Sequence, residues 1–314
     1  MYFLAVMVVV TLGSFQGCCQ TSQKASFNCE YITTPEDSTL AANIVASLRE
    51  EYLASNLSTP ELIVSAGHKL LGNEYVGGTL DQNLKETLTL YLLKTDCILF
   101  VETCTALARA AKEPAFPDNY FYSFASNIRQ TRYRDGVTDN YSDRIHYTTE
   151  WIRQAQKNGI AEDITLAAGG EVWDHPIHFM SSHSSSYKQI ADAAKDSVAA
   201  ANLAKIREVE KTLNQEPQYY IPDVRIPECE KNIQTGDIIG YMSATEGLDI
   251  AHVVLAYVTD KDGSVVYGPH SADARVGFMH ASMGAMKVII DPKTIADYAQ
   301  GRKGITGINV TRVK

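Results

Sequence analysis

Lys94-Thr95-Asp96-Cys97-Ile98-Leu99-Phe100-Val101-Glu102 is the stretch on which the fold turns. A polar Asp stands immediately before an apolar run of helical period, so Asp96 reads as an N-cap and Cys97 as the first helical residue. A thiol there faces the positive end of the helix dipole and its unpaired N–H groups. Both favour the thiolate, which is the nucleophilic form. Downstream stand two histidines, each in a strand-like run: Ala251-His252-Val253-Val254-Leu255 and Phe278-Met279-His280-Ala281-Ser282. Strand alternation puts His252 opposite Val253 and beside Val254. Taken singly, each has a plainer reading. Cys97 alone is a buried helix cysteine, as Cys104 on the same helix reads, and a lone apolar-flanked histidine is a core residue. Their joint occurrence changes the balance, because histidines on neighbouring strands can hydrogen-bond each other.

Working outward, residues upstream of Pro217 are helical in pattern and those after it are strand-like. Glu36 to Asn56 carries Leu40, Ile44, Leu48 and Tyr52 on one face. Ser58-Thr59-Pro60-Glu61 is a capping box with Pro at the first helical position, opening a helix that stops at Gly72. Further helices are expected around Cys97, over Ser142 to Asn158, and over Ser186 to Leu213. Short β-branched runs follow at Asp237–Tyr241, Ala251–Thr259, Ser264–Tyr267, Val276–Ala281, Lys287–Asp291 and Ile308–Val313. Helices first and strands afterwards predict an α+β fold with an antiparallel sheet.

The chain has 314 residues, a net charge of −9 and six cysteines. The acidic balance argues against a nucleic-acid partner. The cysteines show no CxxC pairs and no regular spacing, which excludes a disulfide scaffold or cysteine zinc site on pattern; a Cys29–Cys229 bridge is left open. Leu4 to Leu12 (LAVMVVVTL) is too short to span a bilayer and suits a signal-peptide core. Residues 1–19 are therefore expected as an export signal, 20–35 as a polar linker and 36–314 as the domain. Phe15-Gln16-Gly17-Cys18 resembles a bacterial lipobox, so a lipid on Cys18 would anchor the protein to a membrane; plain cleavage nearby is the alternative. The expected location is the periplasm, or the outer membrane as a lipoprotein, of a Gram-negative bacterium.

A cysteine hydrolase needs a thiolate, a base and a group that orients the base. Cys97, His252 and His280 fill these roles. Tyr75, in Glu74-Tyr75-Val76-Gly77-Gly78, could donate to a developing oxyanion or to substrate, and Asp96 stands beside the nucleophile. The histidine-rich run Trp173-Asp174-His175-Pro176-Ile177-His178, with His183, lacks HExxH and reads as a loop rather than a metal site. There is no GxSxG elbow and no P-loop.

A cysteine on a helix start followed by histidines on successive strands resembles the papain-like cysteine hydrolases, and within them the NlpC-type cell-wall hydrolases. The carriers are Tyr75 with Gly77-Gly78, Asp96-Cys97, Ala251-His252-Val253 and Met279-His280-Ala281-Ser282. The closer resemblance is to the N-acetylmuramoyl-L-alanine amidase-like branch, with its large helical additions. It rests on Asp96-Cys97 to Glu102, Tyr133-Arg134-Asp135-Gly136, Tyr141 to Tyr147, Trp151-Ile152, His178 to Ser181, Gly236 to Ile239 and Gly247 to Val253.

That resemblance implies a cysteine amidase acting on muropeptides, of the 1,6-anhydro kind, between the lactyl group of N-acetylmuramic acid and L-Ala. It implies no metal or organic cofactor. Tyr133, Arg134, Arg144, His146 and Trp151 in the helical additions are expected to shape sugar and peptide subsites, since aromatics stack sugar faces and Arg forks clamp carboxylates. A γ-D-glutamyl endopeptidase with the same triad and a non-catalytic glycan-binding envelope lipoprotein are the alternatives.

Overall fold

The computed structural model describes residues 27–83 and 85–314. The expected export signal and Cys18 lie outside the described residues. The first described element is strand β1 (Tyr31–Ile32), followed by helices α1 (Pro35–Ser55) and α2 (Thr59–Lys69). Strands β2 (Glu74–Tyr75), β3 (Leu88–Thr89) and β4 (Lys94–Thr95) lead to helices α3 (Cys97–Lys112) and α4 (Tyr120–Arg132). Shorter pieces come next: α5 (Thr148–Lys157), β5 (Ala161–Asp163), β6 (Glu171–Val172), α6 (Phe179–Ser182), α7 (Lys188–Ala191), the longer α8 (Ser197–Leu213), β7 (Tyr219–Pro222) and α9 (Ile226–Cys229). The last part holds β8 (Ile238–Ser243), β9 (Ile250–Thr259), β10 (Arg275–Ser282), β11 (Lys287–Ile290), α10 (Ile295–Gln300) and β12 (Ile305–Val313). Among the described residues the expected α+β class is therefore observed. Ten of the strands form one sheet in the order β4-β2-β11-β10-β9-β8-β12-β7-β6, with β5 also on β12. It is antiparallel except where β2 meets β4.

Strand alternation divides the core in two. Val253 and Leu255 of β9, with Met279 and Ala281 of β10, face the cluster built by α1 to α4. Val254, Ala256 and Phe278 face the opposite cluster, which α10 covers with Ile295 and Tyr298. The sheet is thus covered on both faces. Helix α3 is buried nearly all round from Leu99 to Ala111, and its buried polar side chains are partnered within the protein, Glu102 by Arg132 and Thr105 by the Val101 carbonyl. Its neighbours are held by polar ties. Thr34 caps α1, and buried Asp37 accepts from the backbone N–H groups of Leu92 and Leu93 at 2.8 and 2.9 Å. The capping box on α2 is made by Ser58 and Glu61.

Several expectations shift. The stretch over 20–35, expected as a linker, packs from residue 27 onward: Phe27 stacks on Tyr122, and β1 pairs with β3. The helix expected from Ser142 starts only at Thr148. Asn140 and Asp143 close a tight turn, and Ile145 N–H pays its hydrogen bond to the Arg132 carbonyl instead of to a helix. The helix expected over Ser186 to Leu213 is split, because Asp196 accepts from the N–H groups of Val198 and Ala199 and so starts α8 afresh. Ser264–Tyr267 contributes one bridge, Val265 to Thr259, and no strand. Helix α4 was not expected, although Asn119 caps it and Phe121, Phe124, Ala125 and Ile128 fall on its buried side.

Candidate active site

Cys97 is the first residue of α3, and the carboxylate of Asp96 accepts the Leu99 N–H at 3.0 Å, as the sequence predicts. Asp96 is thereby committed to capping. A carboxylate so engaged offers nothing to an oxyanion, which corrects its expected role at the substrate. Cys97 shares a cavity of about 440 Å³ with Tyr75, His252, Asp291, Tyr298 and Arg302. Tyr75 sits on β2 between β4 and β11, and burial, then Cys97 and Asp96, raise its phenol above the ordinary range.

The histidines are placed by strand register. Tyr241 pairs with His252 but Met242 with Ile250, so Ala251 is an extra residue on β9 just before the histidine. Such a bulge re-aims the next side chain. On β10, Met279 pairs with Leu255; one step further along puts His280 opposite Val254 and diagonal to His252. His252 Nε2 and His280 Nδ1 lie 2.7 Å apart. His280 Nε2 in turn lies 3.1 Å from Asp291 Oδ2, at the end of β11. His280 is 1% exposed, so its ring has no room to swing.

Counting donors assigns the protons along this chain. The Asp291 carboxylate only accepts, so His280 donates from Nε2 and its Nδ1 is bare. Nδ1 then accepts from Nε2–H of His252. That leaves Nδ1 as the basic nitrogen of His252, free to take a thiol proton. Asp291 was missed in the sequence reading. The available signal was an acid closing the strand that pairs with the His280 strand. Tyr298 and Arg302, which also line the cavity, were missed too; α10 was not foreseen.

The electrostatics correct one expectation. Burial, and then the Asp96 carboxylate, push the Cys97 thiol up to about 11, against hydrogen bonds from backbone N–H groups including that of Val253. The helix start does not by itself produce a thiolate. Burial, then His280 and Arg302, hold His252 down to about 3. Both partners are thereby neutral at neutral pH. Burial likewise lowers His280, with Asp291 opposing it.

The residues expected to form subsites do not line this cavity, and most of their polar groups are used internally, Trp151 Nε1 and Arg144 Nε being buried without a hydrogen-bond partner. Tyr133 is 0% exposed and donates to Glu86 at 2.7 Å. Arg134 forks onto Glu150. Buried Arg144 pairs with Asp81, lies near Glu86 and stacks on Tyr141. His146 Nε2 meets the Tyr141 carbonyl at 2.9 Å, and burial keeps its ring well below the ordinary range. Trp151 is 2% exposed in the core. The buried Arg132–Glu102 pair at 2.8 Å ties α4 to the Cys97 helix, and none of the five expected subsite residues lines the Cys97 cavity. Cys29 and Cys229 are free thiols, one packed against each hydrophobic cluster. In the histidine-rich run, His175 stacks on Trp173, and His178 and His183 bond to Ser182 and the Phe179 carbonyl.

A model of the N-acetylmuramoyl-L-alanine amidase-like (AmiA-like) family matches residues 65–305. Among solved structures, the chain is similar to an N-acetylmuramoyl-L-alanine amidase from Bacteroides uniformis: 30% identity, TM-score 0.68, covering 82% of this chain and 99% of that one. It is also similar to a Bacteroides fragilis protein described as a candidate xylanase, at 29% identity and TM-score 0.65, covering 79% and 100%. A Legionella pneumophila protein shares the fold at 21% identity and TM-score 0.58, covering 88% and 96%. No curated protein sequence matches the chain.

Proposed function

The chain belongs to the N-acetylmuramoyl-L-alanine amidase-like family, and on that premise we propose that it is a papain-like, NlpC-type cysteine amidase. It hydrolyses the amide between the lactyl group of N-acetylmuramic acid and L-Ala in peptidoglycan fragments, 1,6-anhydro-muropeptides among them. The domain, expected over 36–314, takes in the packed stretch from residue 27, and the protein is exported to the periplasm or held at the outer membrane through Cys18. One observation carries the mechanism: His252, His280 and Asp291 form an unbroken proton-fixing chain in the cavity that holds Cys97.

Cys97 gives its proton to Nδ1 of His252 as it attacks the lactyl carbonyl. Neutral partners suit this, because charge then appears only as the substrate carbonyl carbon is attacked. His280 keeps His252 in the competent tautomer, and Asp291 keeps His280 in its own. The Cys97 backbone N–H and the Tyr75 hydroxyl are donors for the oxyanion. His252 protonates the departing L-Ala amine, then takes a proton from the water that cleaves the thioester.

A glycosidase is disfavoured by the same cavity. Glycoside hydrolysis generally uses two carboxyl groups flanking the bond. Among the described residues that line the cavity, Asp291 is the sole carboxylate, and it is turned to His280. The test is mass spectrometry of products from a disaccharide tetrapeptide and its 1,6-anhydro form. Free sugar with a peptide beginning at L-Ala is expected. An intact muramoyl-L-Ala-D-Glu fragment would instead mean endopeptidase action. No product, with Cys97 inert to alkylation, would leave a glycan-binding role.

A further inference from the structure

We propose that Arg302, braced on Tyr298, is the anion-recognition group of the cavity and takes a carboxylate of the substrate next to the scissile bond. The proposal deepens the amidase reading and rests on it only for the identity of that carboxylate. Arg302 follows α10 in a tight turn. Its own N–H bonds to the Ala299 carbonyl, and its carbonyl accepts from Ile305. The guanidinium carbon lies 4.1 Å from the centre of the Tyr298 ring. Tyr298 is itself 7% exposed, so the platform is rigid and the guanidinium is held on it.

Both residues line the cavity of Cys97 and His252. The charge of Arg302 is felt at the reacting groups, since it disfavours protonation of His252 and of His280. The Tyr298 ring, 4.1 Å from the Arg302 guanidinium carbon, has its centre 5.8 Å from that of the His252 ring. Among the described residues no carboxylate pairs with Arg302, whereas Arg132, Arg134, Arg144 and Arg312 all have one. A planar fork seated over a ring, with no side-chain hydrogen-bond partner among the described residues and at the cavity of Cys97, matches a carboxylate. In the proposed substrate that group is the free carboxylate of the acidic residue following L-Ala.

The test uses two alkylating reagents of similar size on the full chain: anionic iodoacetate and neutral iodoacetamide. The ratio of their rates at Cys97 cancels changes in the thiol itself. In Arg302→Gln the ratio is expected to fall about tenfold, the order of one charge-assisted hydrogen bond. Arg302→Lys, which keeps the charge, should retain most of it. Lys303→Gln, an exposed neighbour, should leave it unchanged. An unchanged ratio in Arg302→Gln, or an equal fall in Lys303→Gln, would overturn the proposal. On muropeptides, Arg302→Gln should raise KM about tenfold for the free acid and leave KM for the amidated analogue unchanged. Equal KM changes for both would also overturn it. A fall in the alkylation ratio without cleavage of either muropeptide would sink the amidase reading and leave the anion site standing.

Discussion

Replacing Asp291 discriminates the proposed proton chain from a generic acid near the site. Asp291 accepts twice: Oδ2 from His280 Nε2, and Oδ1 from the Lys293 N–H at 2.8 Å. Asn cannot accept with both atoms. If its oxygen keeps the Lys293 N–H, its NH₂ turns to His280 and demands a bare Nε2. The proton of His280 then moves to Nδ1, where it opposes Nε2 of His252. His252 must carry its own proton on Nδ1, the nitrogen meant to take the thiol proton. Asp291→Asn therefore blocks the base, whereas Asp291→Ala leaves His280 free to keep its tautomer with water as partner.

The magnitudes separate the two. Hydrogen bonds of 2.7 and 3.1 Å and one ring width put the carboxylate about 8 Å from His252, where unit charges attract by about 2 kcal/mol at an effective dielectric of about 20. Losing that stabilisation of the imidazolium costs about 30-fold in kcat, the expectation for Ala. Asn loses the same charge, and must also break its new hydrogen bond to restore the active tautomer, at about 1–3 kcal/mol more. Its kcat should fall by about 10² to 10⁴. The assay is kcat on the muropeptide, with iodoacetamide alkylation of Cys97 as a substrate-free check. An Asn variant as active as the Ala variant, or more so, would refute the tautomer chain.

Cys97→Ala should abolish turnover with an unchanged melting curve, while Cys104→Ala, a fully buried site in α3, should stay active; equal loss in both would discard the nucleophile. With Cys97 pushed up to about 11 and His252 down to about 3, the pair is neutral through neutral pH. Alkylation by iodoacetamide should then keep climbing past about pH 9 as the thiolate fraction grows. A plateau below about pH 6 would mean a resting ion pair instead. His252→Ala should cost more in kcat than His280→Ala, as one moves protons and the other orients; the reverse order would exchange their roles. Arg144→Met should destabilise by about 3–5 kcal/mol in denaturant melts, since it strands buried Glu86 without its charge partner. KM should not change in the folded fraction, and a raised KM there would restore Arg144 to the substrate surface.

The placement of Cys97 at a helix start and of the two histidines on adjacent strands was legible because each is fixed by local sequence. An N-cap needs only Asp96 and the helical run after it. Strand parity needs only the alternation around His252 and His280. Both rules act over a few residues, and the sheet class followed from the same runs. Asp291 was not legible because its role depends on β10–β11 register, which local pattern does not state. The Ala251 bulge is similar, since one extra residue against Tyr241 is a fact about two strands.

The subsite residues failed for a different reason. Tyr, Arg, His and Trp have the same chemistry whether they meet a sugar or one another, and composition does not report which. Here Tyr133, Arg134 and Arg144 each find a carboxylate of this chain. Beside those pairs, Arg132 binds Glu102 on the helix whose first residue is Cys97. A buried charge without its partner is expensive, so the polar frame tolerates few alternative placements of the helix start. On the proposed mechanism the large helical additions act through position: they help to fix where Cys97 stands relative to a histidine pair supplied by the sheet. Substrate recognition then falls to groups that the frame leaves unpaired at the cavity, and Arg302 on its Tyr298 platform is the cation that meets that condition among the described lining residues.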